Sequence, residues 1–109
     1  MKNIGQIAKM AQQMQTQMAQ AQEELKQTTL EASAGGGAVR IVITGAQEVR
    51  SVEIDPSAID PDEAEMLQDL VMTAINEAIG RSKELERERM AGIAGSMGLP
   101  GMPGLPGFG

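Results

Sequence analysis

Ala38-Val39-Arg40-Ile41-Val42-Ile43-Thr44 and Val49-Arg50-Ser51-Val52-Glu53-Ile54 flank the four residues Gly45-Ala46-Gln47-Glu48. Both runs are rich in β-branched residues, which suit a pleated, half-buried surface. In the first, Val39, Ile41 and Ile43 fall on one face, with Arg40, Val42 and Thr44 on the other. In the second, Val52 and Ile54 share a face and read as strand core. A link this short leaves no room for a crossover, so the two runs form an antiparallel hairpin. Upstream, Gly35-Gly36-Gly37 marks a second turn, and Leu30 to Ser33 supplies a third short strand. Residues 28–54 therefore read as a three-stranded antiparallel meander.

Helices flank the meander. In residues 3–27, Ile4, Ile7, Ala11, Met14, Met18, Ala21 and Leu25 recur at alternating spacings of three and four, an apolar heptad seam. Downstream, Asp60 precedes Pro61 and Glu63, the composition of a helix start. A helix is predicted from about Pro61 to about Met90, with Leu67, Leu70, Val71, Ala74, Ile75, Ala78, Ser82 and Leu85 as its apolar stripe. Past Gly80 the sequence is mostly charge, so that end is expected to project into solvent. Residues 92–109 hold the triplets Gly-Leu-Pro, Gly-Met-Pro and Gly-Leu-Pro from Gly98. Three are too few for a collagen helix, and this tail reads as disordered with some polyproline II character. The expected fold class is α+β: a long N-terminal helix, a three-stranded antiparallel sheet and a long C-terminal helix, in one domain over residues 1–91.

Composition narrows the function. The 109 residues contain no His, Cys, Trp or Tyr and a single Phe. The usual bases and nucleophiles are missing, so the chain is not expected to be an enzyme or to hold a cofactor. No run is long and apolar enough to span a membrane, and no signal-peptide run opens the chain, so a cytoplasmic location is expected. Without large aromatics a lone monomer has a small core, and a partner subunit is one remedy. A five- to seven-residue strand spans about 20 Å, while the two helices would be about 37 and 45 Å long. The sheet can cover only part of each, so a homodimer with protruding helical ends follows. Ile4, Ile7, Ala11, Met14, Met18 and Leu25 are the candidate dimer interface.

Net charge is −6, but it is unevenly spread. Residues 1–22 hold Lys2, Lys9 and no acid; residues 48–77 hold nine acids against Arg50 alone. Arg81, Lys83, Arg87 and Arg89 return positive charge near the far end.

Longer stretches carry a likeness. Val52-Glu53-Ile54-Asp55-Pro56-Ser57 closely resembles the hallmark segment of the YbaB/EbfC family of bacterial nucleoid-associated proteins. So does Glu65-Met66-Leu67-Gln68-Asp69-Leu70-Val71, followed by Ala74, Asn76, Glu77 and Ala78. Met1-Lys2-Asn3-Ile4 and Ala11-Gln12-Gln13-Met14-Gln15 resemble the family's first helix, and the glycines before Val39 and at Gly45 match in order and spacing. The resemblance covers residues 1 to about 99; the Gly-X-Pro tail departs from it. It implies a tweezer-like homodimer that binds duplex DNA in the bacterial nucleoid.

Each candidate site has a plain reading beside it. Lys2, Lys9, Arg81, Lys83, Arg87 and Arg89 could contact phosphates, with counterion release driving affinity. Arg81, Arg87 and Arg89 also stand three or four residues from Glu77, Glu84 or Glu86, and could simply pair along the helix. Gln12 and Gln13, with the other helix-one glutamines, could donate to phosphates or read adenine edges, or could be neutral helix surface. Arg40 and Arg50 fit cross-strand pairs with Glu31, Glu48 or Glu53 better than DNA contacts. Asp55, Asp60, Asp62, Glu63 and Glu65 lack the spacing and central glycine of a calcium loop, and capping explains most of them, so no metal is expected. The leading expectation is double-stranded DNA bound with modest sequence preference by the arms of a homodimer, affecting nucleoid organisation or gene expression. The alternative is an adaptor that docks proteins of DNA repair or replication.

Overall fold

The computed structural model describes residues 2–96; of Lys2 it describes the backbone alone. The order is α1 (Lys2–Gln27), β1 (Thr29–Ala34), β2 (Val39–Thr44), β3 (Val49–Ile54), single 3-10 turns at Pro56–Ala58 and Pro61–Glu63, and α2 (Ala64–Ser96). The strands form one antiparallel sheet in sequence order, β1-β2-β3. The fold is the α+β arrangement expected above.

Turn chemistry shapes the sheet. Gly35, Gly36 and Gly37 all have positive φ, a region that glycine enters without steric cost. At the second turn Gln47 takes φ 61°. On β3, Val42 pairs with Ser51 and Ile43 with Val49, so Arg50 is the extra residue of a bulge. The bulge keeps Val49 on the same face as Val52 and Ile54. It also aims Arg50 at the last turn of α1, where its Nη2 donates to the Lys26 carbonyl at 3.1 Å. A cation there complements the negative end of the helix dipole.

The core lies between the sheet and α2. Val39, Ile41 and Ile43 are fully buried beside Ala32, Ala34, Ala74 and Ala78. Small residues on α2 let the helix sit close to the strands. Asp60 caps its approach, its carboxylate accepting the Asp62 N–H at 3.0 Å, with Pro61 next. The helix proper begins at Ala64 rather than Pro61, since residues 61–63 form the 3-10 turn.

Three expectations need correction. Val52 reads as strand core from its alternation, yet it is 50% exposed, Val49 is 45% exposed, and Ile54 is half-buried. One helix about 10 Å wide covers two strands set about 4.8 Å apart and does not reach the third. Second, α2 continues to Ser96, so residues 92–96 are helix and the tail boundary moves; residues 97–109 lie outside the described residues. Third, the charged end of α2 does not project alone. It lies against α1, where Ala21 and Ala94 are each 3% exposed and Arg89 is ion-paired with Glu24.

The corner at Gly45 explains that pairing. Its N–H donates to the carbonyls of Leu25 and Thr28, both at 2.9 Å, fixing the end of α1. Next to it, the Ser82 hydroxyl donates to the Thr44 carbonyl at 2.6 Å, fixing α2. Traced away from this corner, α1 runs backward and α2 forward, so they form an antiparallel arm. Residues 3–13 of α1 are exposed throughout, beyond the end of α2. The chain is elongated, 72 × 29 × 16 Å.

Candidate nucleic-acid interface

The arm presents two contrasting faces of α1. At 100° per residue, Gln6, Lys9, Gln13, Thr16 and Gln20 follow one another at spacings of three and four, opposite the apolar seam. Lys9, Gln12, Gln13, Thr16 and Gln17 line a shallow polar depression on this face. The first acid along the helix is Glu23. Donor groups therefore dominate this face of the outer arm, and no carboxylate on this helix stands among them.

The basic residues singled out in the sequence separate into two groups. Arg81 reaches Glu77 at 2.8 Å and donates to the Glu31 carbonyl at 2.9 Å, so it staples α2 to β1. Arg87 pairs with Glu84, and Arg89 with Glu24 across the two helices of the arm. These three are committed to acids. Lys9 and Lys83 are exposed and make no ion pair among the described residues. Lys2 opens α1, and its side chain lies outside the described residues. Arg50 pairs with Glu48 at 3.4 Å. Arg40 stands opposite Glu53 in the register and near Asp55, without an ion pair among the described residues.

The apolar seam is also divided. Leu25 is 1% exposed and packs on Gly45 of the same chain. Met14 is half-buried where α2 ends, while Ile4, Ile7 and Ala11 are open. A second apolar surface has no local motif to announce it. Leu67, Val71, Met72 and Ile75 line a shallow hollow on one flank of α2. The opposite flank reaches β1 through Arg81 and the β1–β2 turn through Leu70 beside Gly35, so this hollow lies on the flank of α2 turned away from β1. Its one sequence signal is the width of the α2 stripe, which exceeds what a single helix can bury against two strands.

Two carboxylates of the acidic centre serve the backbone. Asp55 Oδ1 accepts both the N–H and the hydroxyl of Ser57 at 2.9 Å. The Ser57 backbone hydrogen bond, then its hydroxyl, and lastly Arg40 hold the Asp55 carboxyl below its usual range. Asp60 caps the approach to α2.

Comparison with known proteins matches this arrangement. The model of the YbaB/EbfC DNA-binding family fits residues 1–97. The chain belongs to that family. A "Nucleoid-associated protein" of Acetivibrio thermocellus is 51% identical over 83 residues, which is 76% of this chain and 74% of that one. Another, from Chloroflexus aurantiacus, is 50% identical over 88 residues, 81% of this chain and 88% of that one. Among solved structures, that of an uncharacterized Helicobacter pylori protein superposes with a TM-score of 0.70 at 26% identity, covering 80% of this chain and 90% of that one. The YbaB/EbfC members it resembles are bacterial, and the family is one of nucleoid-associated DNA-binding proteins rather than of enzymes. No helix among the described residues is long and apolar enough to cross a membrane.

Proposed function

We propose that this chain binds double-stranded DNA as a homodimer in the bacterial nucleoid, through its protruding helical arms and with modest sequence preference. The observation that carries the reading is the acid-free outer face of α1, with Lys9, Gln12 and Gln13 exposed on an arm that extends beyond the acidic body. Phosphate contacts fix position without reading sequence. Nothing on this face resembles a dedicated recognition helix, so selectivity is modest. Lys2, Lys9 and Lys83 supply the charge. Arg89 acts first as a strut between the two helices of the arm and Arg81 as a tie from α2 to β1, while Arg87 is paired with Glu84 on its own helix.

The dimer face is assigned to β3 and the neighbouring flank of α2. Val49 and Val52 are exposed on β3, and Val71, Met72 and Ile75 line the hollow on the flank of α2. The α1 seam is a narrower contender, since Leu25 and Ala21 are already buried within the protomer.

The test is duplex binding followed by fluorescence anisotropy at two salt concentrations. Gln12→Glu/Gln13→Glu is nearly isosteric and places four acids on the two arms of a dimer. It should weaken binding at least about tenfold at low salt, since each charge added near a backbone contact repels phosphate. Unchanged affinity would remove the arm from the DNA site. If the wild type forms dimers and binds no DNA even at low salt, the adaptor reading takes its place.

A further inference from the structure

The distal half of α1 carries an open apolar seam. Ile4 is 65% exposed, Ile7 63% and the neighbouring Met10 42%, and Ala11 is exposed beside them. Toward the body the seam closes, with Met14 half-buried and Ala21 buried. We propose that this distal seam pairs, antiparallel, with the same seam on the arm of a second dimer.

Charge favours a copy of the same helix. Asn3, Ala8, Met10, Gln15 and Gln17 flank the seam in the heptad, and none is charged. These are the positions whose charges ordinarily select or reject a partner helix. Two identical seams therefore meet without like-charge repulsion. Lys9 is the sole charged residue between Asn3 and Gln22, and it lies on the far side of the helix.

Shape favours the antiparallel sense. In a pair centred level with Lys9, Ile4 of each copy falls opposite Met14 of the other, and Ile7 opposite Ala11. Each layer then sets a branched side chain against a pliant or a small one. An isoleucine facing an alanine lets the helix axes approach to about 8 Å. A parallel pair would crowd Ile4 on Ile4 and Ile7 on Ile7, and it would align the two helix dipoles that the antiparallel pair opposes.

The contact is small. Residues 4–14 give each copy a face about 15 Å long and about 10 Å wide, well below the about 800 Å² per partner of a standard interface. Free dimers therefore associate weakly, and the contact forms where copies are concentrated, as along bound DNA. There Lys9 and Gln13 face outward on both arms, so paired arms present two donor faces back to back and join two duplexes. The dimers and the duplexes are those of the reading above, and the experiment tests the arm contact apart from both.

The chain has no cysteine, so one introduced thiol reports alone. Met10→Cys sits beside the axis of the pair, where two copies bring their thiols together, and Gln13→Cys lies on the polar face. Each full-length variant is treated with a short bismaleimide at high protein concentration and then diluted. Its native mass is compared with that of untreated protein by light scattering. The expected result is at least a doubling of native mass for Met10→Cys and no change for Gln13→Cys. Adding Ile4→Ser/Ile7→Ser to Met10→Cys should abolish the doubling and leave the untreated mass as it was. Linked chains of unchanged native mass would place the contact inside one dimer and overturn the proposal. So would linking that is absent, or equal at the two positions. Bridging is read separately, as capture of a free labelled duplex by a bead-bound one. Ile4→Ser/Ile7→Ser should lose capture and keep single-duplex binding; capture that survives would give the bridging to another surface. If no duplex binds at all, the DNA reading fails and the linking result still decides the arm contact.

Discussion

Gly45 lies so close against Leu25 that a Cβ at position 45 would stand 2.7 Å from Leu25 Cδ2 and 3.1 Å from the Leu25 carbonyl oxygen. The methyl end could turn aside, but the carbonyl is held by the Gly45 N–H and cannot. Gly45→Ala is therefore expected to cost about 1–3 kcal/mol, read as a lower urea midpoint with an unchanged slope. Leu25→Ala should itself destabilise, by about 2–5 kcal/mol. The double variant should be less destabilised than the sum, because the two residues pack directly on each other.

The Ser82 hydroxyl joins α2 to the β2–β3 turn. It donates to Thr44 and accepts from the Gln47 N–H at 3.1 Å and the Gln47 Nε2 at 2.9 Å. Ser82→Ala removes these bonds but leaves the Gln47 N–H bonded to the Thr44 carbonyl at 3.2 Å, a destabilisation of about 1 kcal/mol. Chemical denaturation measures it. A change within error of zero would mean that water replaces the hydroxyl.

The dimer face proposed on β3 and α2 predicts which charges split the protein. Val52→Asp and Ile75→Asp each bury a carboxylate at that face and should yield monomers by sedimentation at micromolar concentration. Ile7→Asp should leave the dimer intact. The reverse pattern would move the interface to the α1 seam.

Unpaired lysines and paired arginines should differ on DNA. Lys9→Ala and Lys83→Ala are each expected to weaken binding similarly across sequences and to lower the salt slope by about one for every phosphate the lysine neutralises. Arg87→Ala should change the slope less, because it also frees Glu84. Equal effects of all three would mean that the Arg87–Glu84 pair opens on the complex.

Asp55 gives a pH signature. Its carboxyl is lowered chiefly by the Ser57 backbone hydrogen bond. A carboxyl lowered on folding stabilises the fold above its unfolded-state value and loses that contribution as pH falls through the folded one. The pH dependence is thus confined to acid, with the full contribution present at neutral pH. Carboxyl-detected titration should place Asp55 below the ordinary range of an aspartate, and Ser57→Ala should raise it.

The order helix–three strands–helix was legible because its signals are local. Alternation put Val39, Ile41 and Ile43 on one face, and three glycines and Gly45 marked the turns. The heptad of α1 and the Asp60-Pro61 start of α2 were equally plain. Family membership followed from the same stretches, since they are the residues that fold shares.

The site was less legible. Val52 obeys the strand period as well as Ile41 does, yet one is half exposed and the other fully buried, because coverage depends on where α2 lies across the sheet. The charged run from Arg81 to Arg89 has the composition of a solvated end. It is instead half of an arm, because Gly45 and Ser82 launch both helices from one corner and bring Glu24 to Arg89.

Local hydrogen bonding and periodicity act within a few residues, so they set element type and turn position wherever the chain is read. The Arg81–Glu77 and Arg87–Glu84 pairs are local too, but which apolar face stays open, and that Arg89 meets Glu24 rather than an acid of its own helix, depend on groups dozens of positions apart. Those distances close only when the helices and sheet are packed, and packing is what makes Arg89 a strut between the two helices and ties Arg81 to β1.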